Sequence, residues 1–317
     1  MKFLEKGFLG DTRWWKYVLT FLLVFVGILL FSTPHSFAIG LKTTLGEVDV
    51  NRLDDISYMI NLFDPNVGLV YMIFPFVGGL AALLFSVKKV HKQNLISLTT
   101  GRNSLDWNRV LFSFSIWGIA VAFFVVIQYF MMPESLILNF QLKPFLILFL
   151  IAVVLIPIQT SFEEYMFRGY LMQSLGVLAR NRWFPLLFTS VVFGAMHAAN
   201  PEVEKLGYEL LMYYIGTGFF LGIIALMDDG IELSLGFHAA NNLISALLVT
   251  TDWTVFQTYS LFKDISEPNL VMAILPSLVL FPMVAFIFAR KYGWTSWKER
   301  LTGTVIPLTE SHDDGKA

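Results

Sequence analysis

Residues 110–131 read VLFSFSIWGIAVAFFVVIQYFM, a run of 22 residues without a charged side chain. An α-helix rises about 1.5 Å per residue and the hydrocarbon core of a bilayer is about 30 Å thick, so about 20 apolar residues are needed to cross it. The run meets this requirement. It therefore predicts a helix that spans a membrane.

Similar runs recur along the chain of 317 residues, of which 56% are hydrophobic and only 15% are charged. Soluble domains carry about 25% charged residues. We predict an all-α fold, a polytopic transmembrane helix bundle of about eight spans. It divides into N-terminal transmembrane helices (1–142), a core of helices that carry polar residues (143–250), and a last span with a polar tail (251–317). The predicted spans are 15–31, 67–87, 110–131, 144–157 continuing past position 163, 183–199, 210–227, 233–249 and 270–289.

Lysine and arginine residues indicate the orientation of the chain in the membrane. They cluster before the first span and in most alternate loops after it, and short cytoplasmic loops are the ones enriched in these residues. We expect both termini in the cytoplasm, and the compact loops favour a bacterial cytoplasmic membrane. An alternative for the first span is a signal peptide cleaved near Ser36-Phe37-Ala38. The polar tail at 309–317 is predicted to be disordered.

Composition and missing motifs exclude several classes of function. The net charge is −2, so no basic field attracts nucleic acid and we expect no such partner. The chain has no cysteine, which excludes disulfides, thiolate catalysis and cysteine-ligated metals. The His-Glu-x-x-His helix of zinc proteases and the Gly-x-Ser-x-Gly elbow are absent. Gly218 and Gly222 follow no predicted strand, so they indicate close helix packing rather than a phosphate site.

Two adjacent carboxylates continue the fourth apolar run, where a charge near the membrane centre costs about 2.5–3.5 kcal/mol on insertion scales. Glu164 and Arg168 are four residues apart, so they share a helix face and are expected to pair. Glu163 is offset by about 100° and is left as a free carboxylate. Burial and the adjacent like charge favour its neutral form, which suits a general base acting on water. The alternative is an interfacial Glu–Arg pair with Glu163 solvated.

A histidine lies on the fifth predicted span. Phe193 is one turn before His197 on the same face, and we expect it to pack the imidazole ring. His197 is roughly 22 Å along the helix from Arg182, whereas the predicted boundaries place Glu163 near the cytoplasmic end of its span. A tilted helix or a misplaced boundary must account for this difference in depth. The alternative role for His197 is packing alone.

The seventh predicted span carries His238 and Asn242, one turn apart on one face. A histidine and an amide side by side can donate hydrogen bonds to one developing oxyanion. The alternative is polar contact between helices, which membrane proteins commonly use. Because a helix bundle can bring polar residues of separate spans to one cavity, we predict that the three clusters converge.

Glu-Glu-x-x-x-Arg, Phe-x-x-x-His and His-x-x-x-Asn follow one another between about residues 143 and 250. In this order they resemble the motifs of the CAAX-protease and bacteriocin-processing (CPBP) family, which includes the CAAX prenyl endopeptidases of the endoplasmic reticulum and many bacterial relatives. The resemblance implies a glutamate-dependent intramembrane endopeptidase that hydrolyses a membrane-associated or lipidated peptide. It also implies that Glu164 and Arg168 shape the site.

The resemblance implies roles for four further residues. Glu163 would be the general base that activates water, and His197 would bind or polarise that water. His238 and Asn242 would stabilise the oxyanion of the tetrahedral intermediate. The expected partners are membrane lipid and a peptide or protein substrate.

Three alternatives stay open. Two glutamates and two histidines can serve as ligands of a divalent metal such as zinc. An asparagine fits an oxyanion role better, so we expect no metal and no cofactor. A proton-coupled transporter would use the same buried polar groups as a relay, although no internal repeat is evident. A non-catalytic membrane scaffold or immunity protein would share the fold without turnover.

Overall fold

The structure of the protein is a computed structural model that describes residues 2–308, and its long elements are α-helices. The all-α fold predicted from the apolar runs is confirmed. The tail predicted to be disordered, 309–317, lies outside the described residues. In chain order the helices are α1 (Trp14–Thr44), α2 (Ile56–Ile60), α3 (Pro65–Lys89), α4 (Leu95–Thr99), α5 (Trp107–Met131), α6 (Leu142–Glu164), α7 (Met172–Ala179), α8 (Trp183–Ala195), α9 (Pro201–Leu206), α10 (Leu211–Asp228), α11 (Glu232–Leu248), α12 (Leu270–Tyr292) and α13 (Trp297–Thr302).

The helices at the eight predicted positions differ in length. Among the described residues, six helical segments are long and apolar enough to cross a membrane. The fifth and seventh predicted spans correspond to α8 and α11, which have 13 and 17 residues. At roughly 20 and 25 Å, both are shorter than the hydrocarbon core. The protein is an integral multi-pass membrane protein, and α8 and α11 are shorter than the other helices at the predicted span positions.

Polar residues begin several of the long helices. Asp64, Asp106 and Asn269 each accept a hydrogen bond from a backbone N–H at the start of α3, α5 and α12. Such caps satisfy N–H groups that lack a partner within the helix. Pro65 takes the first position of α3, where its missing N–H is not needed. These local signals explain where the apolar runs become helical.

The fourth span continues through the polar cluster. From α6 the chain passes directly into a π-helical segment, Tyr165–Leu171, and then into α7, so one helical element covers 38 residues. Glu163 lies near the middle of this element, and the predicted boundary that placed it near the cytoplasmic end was wrong. π-Helical turns are rare and frequently mark functional sites.

The fifth predicted span ends earlier than expected. α8 stops at Ala195, and His197 lies on the turn that follows. Asn200 is extended because it precedes Pro201, which begins α9, and a residue before proline disfavours helical backbone. The difference in depth between His197 and Glu163 therefore came from two misplaced helix boundaries.

The first residues of the chain pack into the folded protein. Phe3 and Leu4 are almost completely buried among side chains of α7, α8 and α10. Glu5 is buried and forms an ion pair with Arg182. Burial raises the pKa of the Glu5 carboxyl, and the Arg182 guanidinium opposes that shift. Cleavage near Ala38 would remove all of these contacts.

Three short strands, which the sequence did not predict, form a small sheet between helix ends. They are β1 (Leu136–Leu138), β2 (Val249–Thr250) and β3 (Phe262–Asp264), in the spatial order β1-β3-β2. β1 pairs with β3 antiparallel, and β2 pairs with β3 parallel. The sheet joins the chain after α5 to the chain after α11, the helix that carries two of the predicted site residues.

Aromatic side chains from all three predicted segments pack together. The Trp117 ring stacks on Phe237 with centroids 4.2 Å apart, and Phe220 stacks on Phe281 at 4.6 Å. Each of the four residues is nearly buried. This cluster holds α5, α10, α11 and α12 against one another.

α8 and α10 approach each other closely at a glycine. A Cβ on Gly218 would lie 2.8 Å from the carbonyl oxygen of Ser190 and 2.9 Å from its Cα. One turn later, a Cβ on Gly222 would lie 2.5 Å from a methyl group of Leu186. Small residues allow such close approach of membrane helices. The structure agrees with the packing role predicted for these two glycines.

Gly218→Ala is expected to destabilise the protein by about 1–3 kcal/mol, because the new Cβ meets backbone that must move. Gly216 is the matched control, since a Cβ there has nothing within 4 Å. Gly216→Ala should be neutral or stabilising by up to about 1 kcal/mol, as glycine is a poor helix former. Thermal unfolding in detergent measures both. Equal stability of the two variants would contradict the close contact.

Candidate active site

The predicted site residues come from four parts of the bundle. Glu163 ends α6 beside Glu164, Phe193 lies on α8, and His197 follows α8 on a turn. His238 and Asn242 lie one turn apart on α11. α6 packs directly against α11, so the two carboxylates face the histidine and the amide across that contact. The first and third motifs therefore meet in space.

The second carboxylate is held by two partners. One oxygen, Oε1 of Glu164, accepts a hydrogen bond of 2.8 Å from Nη1 of Arg168 and another of 2.8 Å from Nδ1 of His238. Glu164 and Arg168 are both completely buried. Arg168 also donates to the carbonyl of Gly218 at 3.3 Å, and its guanidinium lies 4.3 Å from the ring centroid of Phe193. A buried ion pair needs such additional contacts to offset its desolvation.

The contact with Glu164 determines which nitrogen of His238 is free. An ionised carboxylate only accepts hydrogen bonds, so Nδ1 of His238 carries a proton and donates it. The other nitrogen, Nε2, lies 3.7 Å from Oε2 of Glu163. That distance is too long for a direct hydrogen bond. Oε2 of Glu163 has no hydrogen-bond partner among the described residues.

The other oxygen of Glu163 is engaged. Oε1 accepts a hydrogen bond from Nε2 of Gln159, one turn earlier on α6. Gln159 in turn accepts a hydrogen bond of 3.1 Å from Nδ2 of Asn242. An amide group has two N–H donors, so Asn242 keeps a second one. The structure thus divides the carboxylates as their spacing predicted: Glu164 pairs with Arg168, and Glu163 does not.

His197 is positioned by two aromatic residues. Its Nδ1 lies 2.8 Å from the carbonyl oxygen of Phe193, and its ring stacks on Tyr214 with centroids 4.2 Å apart. The Tyr214 hydroxyl donates to buried Glu202 at 2.5 Å. The carboxylate of Glu163 lies close enough to interact electrostatically with His197. His197 therefore borders the site, although no hydrogen bond between described residues joins it to Glu163.

Phe193 contacts both histidines. Its ring centroid lies 4.9 Å from that of His197 and 6.0 Å from that of His238, and the second contact is edge-on. With Arg168 over the same ring, Phe193 separates the buried ion pair from the turn that carries His197. The expectation that Phe193 packs the His197 imidazole agrees with this geometry.

The donor set fits a metal poorly. Zinc sites use at least three protein ligands converging at about 2.0–2.3 Å from the ion. Within residues 2–308, no three histidine, aspartate or glutamate side chains come together in this way. Oε1 of Glu164 bonds to Nδ1 of His238, and Oε2 of Glu163 faces Nε2 of His238 at 3.7 Å. Oε2 of Glu164 also has no hydrogen-bond partner among the described residues.

Sequence reasoning missed three residues around the site: Gln159, Tyr214 and Glu202. A signal for Gln159 was present, because it is a polar residue within an apolar run, four positions before Glu163. Nothing local distinguishes Tyr214, which reaches His197 only because α10 folds beside the turn after α8. The contact of Glu202 with Tyr214 likewise depends on the tertiary structure.

Comparison with known proteins agrees with the motifs. Residues 142–244 match the sequence model of the family described as type II CAAX prenyl endopeptidase Rce1-like. The chain is also 30% identical over 249 residues to "Uncharacterized protein YyaK" of Bacillus subtilis (strain 168), an alignment that covers 78% of this chain and 82% of that protein. No solved structure matches the chain significantly. The chain therefore belongs to the Rce1-like family of type II CAAX prenyl endopeptidases, a family of CAAX-type intramembrane proteases.

Proposed function

We propose that the protein is a glutamate-dependent intramembrane endopeptidase in which Glu163 activates the water that attacks a peptide bond. One observation carries the proposal. A buried carboxylate oxygen with no hydrogen-bond partner among residues 2–308, Oε2 of Glu163, faces Nε2 of His238, whose other nitrogen is held by Glu164. A free base beside an oriented imidazole is the arrangement that general acid–base catalysis requires.

The water would lie beside the facing atoms of Glu163 and His238, off the line that joins them. The two atoms are 3.7 Å apart and do not bond to each other. One water beside the line that joins them could hydrogen-bond to both. Glu163 takes a proton from this water as the water oxygen bonds to the carbonyl carbon of the substrate. His197 borders the same space and helps to hold the water.

The tetrahedral intermediate would be stabilised from α11. The second N–H of Asn242 can donate to the developing oxyanion. His238, whose Nδ1 is held by Glu164, can donate to the oxyanion through Nε2 when that nitrogen carries a proton. Collapse of the intermediate breaks the C–N bond, and the proton on Glu163 passes to the leaving nitrogen. Water is consumed, and a carboxylic acid and an amine are released.

The substrate would be a membrane-associated or lipidated peptide, because the reacting groups lie within helices embedded in lipid. The distribution of lysine and arginine favours a bacterial cytoplasmic membrane with both chain termini in the cytoplasm. We propose membrane lipid and a peptide or protein substrate as partners, and neither metal nor cofactor as a requirement. Glu164, Arg168 and Phe193 position His238 and do not contact the substrate in this mechanism.

Purified protein in lipid vesicles is expected to cleave membrane-associated peptides, with both fragments identified by mass spectrometry. The peptide panel contains the same sequences with and without a C-terminal lipid. EDTA or 1,10-phenanthroline should leave the rate within about twofold of the untreated enzyme, since the proposed base is a carboxylate. Loss of activity with chelator, restored by zinc, would replace this mechanism with a metal-dependent one. Absence of cleavage across the panel would favour the scaffold.

A further inference from the structure

Four hydrogen bonds connect a remote indole to the carboxylate of Glu163. Nε1 of Trp117 donates to Oδ1 of Asn241 at 3.0 Å, and Nδ2 of Asn241 donates to Oδ1 of Asn242 at 3.0 Å. Nδ2 of Asn242 donates to Oε1 of Gln159 at 3.1 Å, and Nε2 of Gln159 donates to Oε1 of Glu163. The row crosses three helices, from α5 through α11 to α6.

The chemistry of the two ends determines the direction of every bond in this row. An indole N–H can only donate, so the oxygen of the Asn241 side chain must face Trp117. That orientation turns the Asn241 NH₂ group toward Asn242, and the same logic repeats at Asn242 and Gln159. An ionised carboxylate can only accept, so Glu163 ends the row. None of the three side-chain amides, Asn241, Asn242 and Gln159, can turn over without losing the hydrogen bonds on both of its sides.

We infer that Gln159 is a positioning residue for Glu163, and that Trp117 anchors the row of amides that orients Gln159. The inference rests on the proposed role of Glu163 as the base. The donor from Gln159 occupies one carboxylate oxygen, which leaves Oε2 as the atom that acts on water.

Burial strengthens the row at Trp117 and Gln159, whereas Asn241 and Asn242 between them are half-buried. Trp117 and Gln159 are each 6% exposed, so water does not compete effectively for their polar atoms. Hydrogen bonds in a row polarise one another and strengthen cooperatively at low dielectric. The other titratable or charged groups that act on Glu163 are Glu164 and Arg168 on its own helical element, His238 on α11 and His197 after α8. None of them contacts Oε1 of Glu163 among the described residues.

The test measures protonation of Glu163 itself. The carboxyl band of Glu163 is assigned in infrared difference spectra by its absence from Glu163→Gln, and its pH midpoint is followed in lipid vesicles. Gln159→Met removes the donor at similar volume, and the midpoint should rise by about one pH unit, as expected for loss of a hydrogen bond to a charged group. Trp117→Phe keeps the ring on Phe237 but removes the anchor, so a smaller rise is expected.

Thr160→Val is the matched control on the same turn of α6. Thr160 is 1% exposed, and among the described residues its hydroxyl donates to backbone carbonyls of its own helix alone. The midpoint of Glu163 should not move in this variant. A purely structural role for the amide row would lower the thermal stability of Gln159→Met and Trp117→Phe without shifting the midpoint. An unchanged midpoint in folded Gln159→Met or folded Trp117→Phe would overturn the inference.

A kinetic measurement distinguishes failure of this inference from failure of the proposed function. In Gln159→Met the acidic limb of kcat/KM should move upward by the same amount as the infrared midpoint, so activity recovers as the pH is raised. A loss that is equal at every pH would contradict a role through Glu163. If the wild type cleaves no peptide while the infrared midpoint moves as expected, the hydrolase proposal fails and the orienting role of the amide row stands.

Discussion

Glu163→Gln is expected to lower kcat for peptide hydrolysis by about 10²–10⁴-fold, the range that a positioned general base contributes. Glutamine has nearly the same shape and can still accept the hydrogen bond from Gln159, but it cannot take a proton from water. KM should change little, because the lost interaction develops in the transition state. Single-turnover cleavage in lipid vesicles, with quantification of both fragments, measures the loss.

The control for this substitution is Glu134→Gln, which makes the same chemical change at an exposed position. Its rate should equal that of the wild type. The thermal stability of Glu163→Gln should not fall, since Oε2 of Glu163 has no hydrogen-bond partner among the described residues. If folded Glu163→Gln kept more than a tenth of the wild-type kcat, Glu163 would not be the base.

Arg168→Met should cause the largest loss of stability, about 3–5 kcal/mol, because it leaves a buried carboxylate without its cation. Glu164 and Arg168 are both fully buried and lie 2.8 Å apart, so no solvent can take over the role of the guanidinium. Methionine replaces only the aliphatic part of the arginine side chain, so the variant also loses the packing of the guanidinium on Phe193. Unfolding in mixed micelles of increasing denaturing detergent measures the difference.

The double variant Glu164→Gln/Arg168→Met tests the cause of that loss. Removing both charges eliminates the unpaired carboxylate, so the double variant should recover most of the stability lost by Arg168→Met. It should remain inactive, since His238 loses the carboxylate that orients it. A double variant as unstable as the single one would show that packing of Arg168, and not its charge, supports the fold.

The apolar runs determine the fold class without help from tertiary structure. A run such as 110–131 is helical because lipid supplies no hydrogen-bond partners for its backbone, and caps such as Asp106 are local. Spacing alone also separates the two carboxylates, since residues four apart share a helix face and adjacent residues do not. The pairing of Glu164 with Arg168 was therefore predictable from the sequence.

The lengths of the fourth span and of α8 were less predictable from the sequence. The fourth span continues through Glu163 into a π-helical segment. It can do so because Arg168 donates hydrogen bonds to Glu164 and to the Gly218 carbonyl inside the bundle. Hydropathy alone suggests that such a helix ends at its charges. α8 stops at Ala195 because the chain must turn before Pro201, although the apolar pattern continues beyond it.

The sequence by itself determined the membrane-embedded helical class, the family motifs and the division of the two carboxylates, because each depends on neighbours within one or two helical turns. Only the tertiary structure decided which atom of Glu163 is free, which nitrogen of His238 faces it, and that Gln159 and Trp117 belong to the same network. The hydrogen bonds responsible join residues 74, 83 and 124 positions apart. Such contacts form when the helices pack against one another, so they cannot be predicted from the periodicity of nearby residues.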